Sequence, residues 1–167
     1  KAFLGLVLSA IETYKRECMG TLLGYNAYNR IVVEYAIPYQ TAKRKPDEVE
    51  VSLKRESRIK EILPKVCQLE HVGYFHSHTQ WGQKMAETKL SEIDVRDMVP
   101  TKIEIVVAVN DSKKRITWNM SASGKELYGT IGGYYLKLAC YYKTKNGKIK
   151  QYKILCPYIL GFDLTFT

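Results

Sequence analysis

Two histidines, His76 and His78 within Gly73-Tyr-Phe-His-Ser-His-Thr79, are the side chains of this sequence best placed to do chemistry. On an extended strand, residues two apart project from the same face about 7 Å from one another, so the pair forms a two-nitrogen metal claw. Downstream, Ser91-Glu-Ile-Asp94 has the spacing that puts its first and last residues on one face of a helix, over its first turn. A carboxylate from that turn completes the claw. Two imidazoles and a carboxylate are a donor set for catalytic zinc, which takes three protein ligands in a tetrahedron and leaves the fourth position for water. The metal lowers the pKa of such a water to about 7, which makes a nucleophile at neutral pH.

That chemistry still needs a proton acceptor, which must come from elsewhere in the chain. Glu12 and Glu17 are the candidates, and Gly20 and the apolar strand after it favour Glu17. Asp97, one helical turn beyond Asp94, is a rival third ligand. His71 lies an odd number of residues before His76 and so on the opposite strand face, which excludes it; Ser77 faces away from the claw for the same reason and belongs to the core. Ser91-x-x-Asp94 is also an ordinary helix N-terminal capping pattern, and the two roles are compatible.

The elements that must carry these residues can be read in order. Leu4–Tyr14 has Leu4, Val7, Leu8 and Ile11 at helical spacing, and Glu17–Gly24 reads as a buried strand whose glycines admit a close backbone or ligand. A turn at Tyr25–Asn29 leads to a hairpin partner at Ile31–Pro38, and the polar, basic Tyr39–Pro46 reads as a loop. Ser52–Leu69 is helical in pattern, with a kink or break expected at Pro64. The strand His71–His78 follows, then a long connection from Thr79 to Leu90 and a helix from Ser91 that ends before Pro100. Ile103–Val109 is nearly continuously apolar and β-branched, the mark of a strand buried on both faces. Arg115–Met120 is expected to pair back against it, and Asn146-Gly147 to turn a hairpin within the tyrosine-rich region 128–167. A two-residue turn there would set Cys140 opposite Lys153 and Cys156 opposite Lys137. Helices interleaved with hairpins imply an α/β or α+β fold, a mixed β-sheet flanked by helices.

Taken together, Glu17, His76-Ser77-His78, Ser91 and Asp94 resemble the JAMM motif of the MPN-plus zinc metalloproteases: an upstream glutamate, His-Ser/Thr-His-Pro, a spacer and Ser-x-x-Asp. The resemblance covers about the first two thirds of the chain, since Glu17-x-x-Gly20-Thr-Leu-Leu-Gly24 also looks like that family's first strand. It implies a single MPN domain over residues 1–167, of cytidine-deaminase-like architecture, around one Zn2+ per chain. By resemblance His76, His78 and Asp94 hold the zinc, Glu17 is the general base and Ser91 donates to the oxyanion. The implied reaction is hydrolysis of the bond between ubiquitin, or a ubiquitin-like modifier, and a lysine. Two departures stand out: Thr79 replaces the usual proline, and the spacer Thr79–Leu90 has twelve residues, five more than the family's usual count. This neighbourhood contributes to gripping the modifier's tail in relatives, so Trp81, Lys84 and Met85 are expected to line its entry.

Composition is that of one globular domain, with 46% hydrophobic and 26% charged residues and no repeat or low-complexity tract. The apolar start Ala2–Ala10 is far too short to span a membrane, and no membrane partner is expected. The chain opens on Lys1 without an initiator Met, which is compatible with an upstream segment. The net charge of +9 is spread over Lys43–Lys45, Lys113–Arg115 and Lys143–Lys153 without an aromatic-interleaved stripe, so it reads as solvated surface rather than a specific nucleic-acid site. Cys18, Cys67, Cys140 and Cys156 form no Cys-x-x-Cys pair and are expected as reduced thiols of a cytoplasmic protein. Three other readings frame the expectation: a non-catalytic MPN scaffold that docks an MPN partner or a second copy, a zinc peptidase that trims a sulfur-carrier protein, and, ranked low, nucleic-acid binding.

Overall fold

The computed structural model describes residues 1–40, 43–44, 49–50, 53–66 and 68–160. Its centre is the pair of strands β5 (Glu70–Thr79) and β6 (Ile103–Asp111), which run parallel, His76 beside Val106. A parallel pair needs a crossover. Here that crossover is the long connection and the short helix α3 (Glu92–Asp97), the segments that carry Trp81, Lys84, Met85, Ser91 and Asp94.

Around this pair the sheet is antiparallel. On one side β1 (Met19–Ala27) pairs with β5, and β2 (Arg30–Pro38) pairs with β1. On the other side β9 (Tyr134–Lys143) pairs with β6, followed by β8 (Glu126–Ile131) and the two-residue β7 (Asn119–Met120); β10 (Ile149–Tyr152) pairs with the far end of β9. Two-residue strands β3 (Lys43–Arg44) and β4 (Val49–Glu50) form a separate ladder, the first of them within Tyr39–Pro46, which was expected as a loop. The architecture is a mixed sheet with a few helices, α+β, as expected. Gly20 and Gly24 have the close neighbours their sequence context suggested: a Cβ would stand 2.2 Å from the Ile37 carbonyl oxygen at the first and 1.8 Å from that of Val32 at the second.

Strand alternation divides the molecule into two faces. Ile103, Ile105, Val107 and Val109 join Phe75, Leu136, Leu138 and Cys140 in a core covered by helix α1 (Ala2–Glu12) through Phe3, Leu6, Val7 and Ala10. Leu4 and Leu8, expected on the inner stripe of α1, are instead exposed at 42% and 63%. The alternate residues of β6, from Glu104 to Asn110, share the opposite face with His76 and His78, the face of the candidate site.

Four other expectations change. Helix α2 runs Leu53–Val66 without a break at Pro64; the proline removes the one hydrogen bond its N–H would have made four residues back, and only two helical residues follow it. Residues 115–118 do not pair with β6; only Asn119–Met120 is strand, and it pairs with β8. This stretch lets Trp118 tuck beneath the sheet onto Phe3, edge to face at 5.0 Å, over Gly129, where a Cβ would stand 2.5 Å from the indole. The C-terminal hairpin is offset by one residue, so Cys140 faces Tyr152 rather than Lys153, because Thr144 pairs with Lys148 around a three-residue loop with Gly147 at φ +80. Cys156 lies beyond β10, and Lys137 pairs with Tyr128 and Ala108. A hairpin the sequence reading overlooked joins β8 to β9 through Gly132-Gly133, both at positive φ. Cys18, Cys140 and Cys156 are free thiols, and Cys67 lies outside the described residues. No helix among the described residues is long and apolar enough to cross a membrane.

Candidate metal centre

His76 and His78 leave β5 on the same face, and the Nε2 atoms of the two rings are 3.1 Å apart. Asp94 closes the group from α3: its Oδ1 is 3.5 Å from His76 Nε2 and its Oδ2 is 3.4 Å from His78 Nε2. Among the described residues these three form the only set of His, Cys, Asp or Glu side chains able to hold a metal, with one donor atom from each within 4.8 Å of the others. Asp97 takes no part; its carboxylate accepts from Arg96 in an exposed ion pair at 2.7 Å. A tetrahedral ion with donors at about 2.05 Å has donor–donor edges of about 3.4 Å. The histidine nitrogens stand close to that edge, and Asp94 reaches each ring through a different oxygen, so this donor set of two imidazoles and a carboxylate fits zinc with one of those oxygens as the third ligand.

The outer atoms of both rings are engaged. His76 Nδ1 lies 2.7 Å from the Glu104 carboxylate, and His78 Nδ1 lies 2.8 Å from the main-chain carbonyl of Glu87. A carbonyl or carboxylate only accepts, so each Nδ1 carries the hydrogen and each Nε2 turns inward. Two ring nitrogens and a carboxylate thus converge on one point, an arrangement stable only around positive charge. In the metal-free chain a proton supplies it. Burial lowers the pKa of His76, but hydrogen bonds and charges from Asp94 and Glu104 outweigh burial and push it up to about 10. Burial likewise works to raise the Asp94 pKa, and the hydrogen bonds of His76 and His78, with that of the Ser91 backbone, hold it well below the usual carboxylate range.

Asp94 is placed by both ends of its helix. At the N-terminus Ser91 Oγ accepts from Asp94 N at 3.1 Å while Ser91 N donates to Asp94 Oδ2 at 2.6 Å, a complete capping box. At the other end Lys143 Nζ, from β9, donates to the carbonyls of Val95 and Met98, each at 2.9 Å, and opposes the helix dipole. Lys143, expected on solvated surface, serves this helix end instead. Ser91 is exposed, and its hydroxyl, having accepted one bond, keeps its own hydrogen to donate.

Glu17 is half-buried and lies just before β1. Ser77 N donates to the Cys18 carbonyl at 2.8 Å and Cys18 N to Ser77 Oγ at 2.9 Å, so pairing with β5 extends past the assigned strand. Continuing the register of Met19 with His76 sets Glu17 opposite His78, on the claw's face. Ser77 is fully buried, as expected.

The connection between strand and helix is built rather than loose. Trp81 and Lys84 exchange main-chain hydrogen bonds at 3.0 and 2.9 Å around Gly82, at φ +56, forming a miniature hairpin that exposes Trp81 at 64%. Next along the chain, the buried Asn110 side chain accepts from Ala86 N at 2.7 Å and donates to Ala86 O at 3.1 Å. Thr88 Oγ1 donates to Glu126 at 2.5 Å, and Tyr141 Oη donates to the Thr88 carbonyl at 2.9 Å. Between these anchors Glu87 is set against His78.

Sequence reasoning missed Glu104, Asn110 and Lys143. The signal for Glu104 was available: an acidic residue inside an otherwise apolar, β-branched run is costly unless it is paired. Asn110 follows the apolar run Ile103–Val109 with no local sign of its distant partner, and no sequence pattern puts Lys143 at a helix end far away in the chain.

Residues 1–98 match the family described as JAB1/Mov34/MPN/PAD-1 ubiquitin protease, and the chain belongs to that family. No protein of curated function matches the chain. Among solved structures it is similar to the solution structure of protein DSY2949 from Desulfitobacterium hafniense, with a TM-score of 0.56 and 16% identity over 89% of this chain and 84% of the other. At that identity the likeness is one of fold.

Proposed function

We propose that the chain is a zinc-dependent isopeptidase that hydrolyses the bond between ubiquitin, or a ubiquitin-like modifier, and a lysine. The observation that carries this reading is the convergence of His76, His78 and Asp94, with one donor atom from each within 4.8 Å of the others and both outer ring nitrogens already turned to acceptors. These three residues would hold one zinc ion. When bound, zinc supplies Lewis acidity, which acidifies water and polarises a carbonyl.

Glu17, on the claw's face, takes a proton from the attacking water. As the carbon–nitrogen bond breaks, it passes that proton to the departing lysine amine, so a carboxylate and an amine leave the site and Glu17 returns to its starting state. The Ser91 hydroxyl hydrogen is free of the capping box and donates to the oxygen that gains negative charge. Donors in such positions elsewhere contribute about 3 kcal/mol to the transition state. Trp81, Lys84 and Met85, on the anchored connection, line the entry for the modifier's extended tail. A cytoplasmic setting and an MPN partner, or a second copy of the chain, belong to the same reading.

One observation favours a second reading, a non-catalytic scaffold: the capping box by itself accounts for both Ser91 and Asp94. It leaves the two inward-turned histidines without a purpose. Metal content measured by mass spectrometry separates the readings. About one zinc per wild-type chain is expected, lost in His76→Ala and in Asp94→Ala and retained in Glu17→Gln, which should lose hydrolysis of ubiquitin-like conjugates. Absence of stoichiometric metal, or metal indifferent to the first two substitutions, would favour the scaffold.

A further inference from the structure

Strand β6 is buried from Ile103 to Asn110, and apart from Asn110 at its end, Glu104 is the only polar side chain in that run. Its neighbours across the sheet are Tyr74 on β5 and Tyr141 on β9. A carboxylate in such a place is strongly destabilising without a partner. Its partner is His76 Nδ1 at 2.7 Å, reached diagonally because Glu104 stands beside Tyr74, two residues before His76 on the same face. Glu104 lies beyond the segment that matches the family.

The two rings of the claw are therefore held unequally. His78 faces a neutral main-chain carbonyl, while His76 faces a full negative charge in a buried setting. An imidazole has two orientations of similar shape, and only one presents Nε2 to Asp94 and His78. Turning the ring over would put a carbon against the Glu104 carboxylate.

We propose that Glu104 is the positioning residue of this metal site: it locks the His76 ring with Nε2 inward and strengthens that nitrogen as a donor to a divalent cation. The proposal rests on the metal reading given above. It differs from a purely structural role, in which Glu104 would only satisfy its own burial.

Competition of zinc between the protein and a chromophoric chelator at fixed pH tests it, with wild type, Glu104→Gln and Glu104→Ala compared. Glu104→Gln keeps the shape and an acceptor but loses the charge, and should bind zinc about tenfold more weakly; Glu104→Ala should bind up to about 100-fold more weakly. The visible bands of the cobalt-substituted protein should shift in the same order, which a change in stability alone would not produce. Zinc affinity within about twofold of wild type for Glu104→Gln, with unchanged cobalt bands, overturns the proposal. Ring nitrogen shifts of zinc-loaded wild type give a check independent of any variant: His76 should coordinate through Nε2 and keep its hydrogen on Nδ1, and coordination through Nδ1 overturns the proposal. If wild type takes up no zinc, both this proposal and the isopeptidase reading fail. If zinc is lost in His76→Ala but unaffected by both Glu104 substitutions, only this one does.

Discussion

At the scale of the residue, the centre is defined by competition between a proton and a metal for the same nitrogen. In the metal-free chain His76 titrates at about 10, raised by Asp94 and Glu104 against the effect of burial. Coordination requires Nε2 without its proton, so metal uptake below that pH must release one proton from His76. Asp94 is held below the usual carboxylate range and stays ionised throughout, so it adds no proton to the exchange. The sign follows: a raised pKa in the metal-free state makes acid favour that state. Apparent zinc affinity should therefore climb about tenfold per pH unit from about pH 7 and level off near 10. Zinc titrations in a weak buffer with a pH indicator would measure the released proton directly. An affinity flat across this range would mean that His76 is already neutral before metal arrives.

At the scale of the element, the connection between β5 and α3 holds the site in shape through main-chain contacts that sequence patterns do not encode. Asn110 continues β6 with its side-chain amide, making to Ala86 the pair of hydrogen bonds that a neighbouring strand would otherwise make. Glu87, the next residue, presents the carbonyl that orients His78. Asn110→Ala should leave both Ala86 groups to partial solvation and cost about 2 kcal/mol of stability. It should also abolish hydrogen-exchange protection at Ala86 and weaken zinc binding in parallel, as His78 loses its fixed partner. Unchanged protection at Ala86 would show that the miniature hairpin at Trp81–Lys84 and the Thr88 contacts hold the connection without Asn110. The claw itself was legible because its two histidines share one strand and its carboxylate belongs to a capping signature, both local patterns. Glu104, Asn110 and Lys143 act across the sheet, through register that a single sequence does not reveal. The same limit explains residues 115–118: Arg115–Met120 is expected to pair back against Ile103–Val109, but the packing of Trp118 on Phe3 takes precedence.

At the scale of the molecule, the segment that matches the family ends at residue 98, while the sheet that supports the site does not. β6 lies between β5 and β9, and β6 and β9 both follow α3 in the chain. The core depends on the same later residues: Phe3 of α1 packs on Trp118, while Leu127, Leu136 and Leu138 complete the layer under Phe75 and Leu22. Cutting the chain after residue 98 would remove Glu104 and Lys143, and would leave β5 as a bare apolar edge prone to pairing with other chains. Such a fragment should show no sigmoidal thermal transition by circular dichroism and poor amide dispersion by NMR, whereas the whole chain should melt cooperatively. In the intact chain Trp118→Ala should cost about 3–5 kcal/mol, read as a lowered denaturant midpoint, because it empties the volume between Phe3 and Gly129. A fragment 1–98 that melts cooperatively and binds zinc would instead mean that the claw, capping box and first hairpin form a self-sufficient unit, with the later strands serving the partner or substrate rather than the metal.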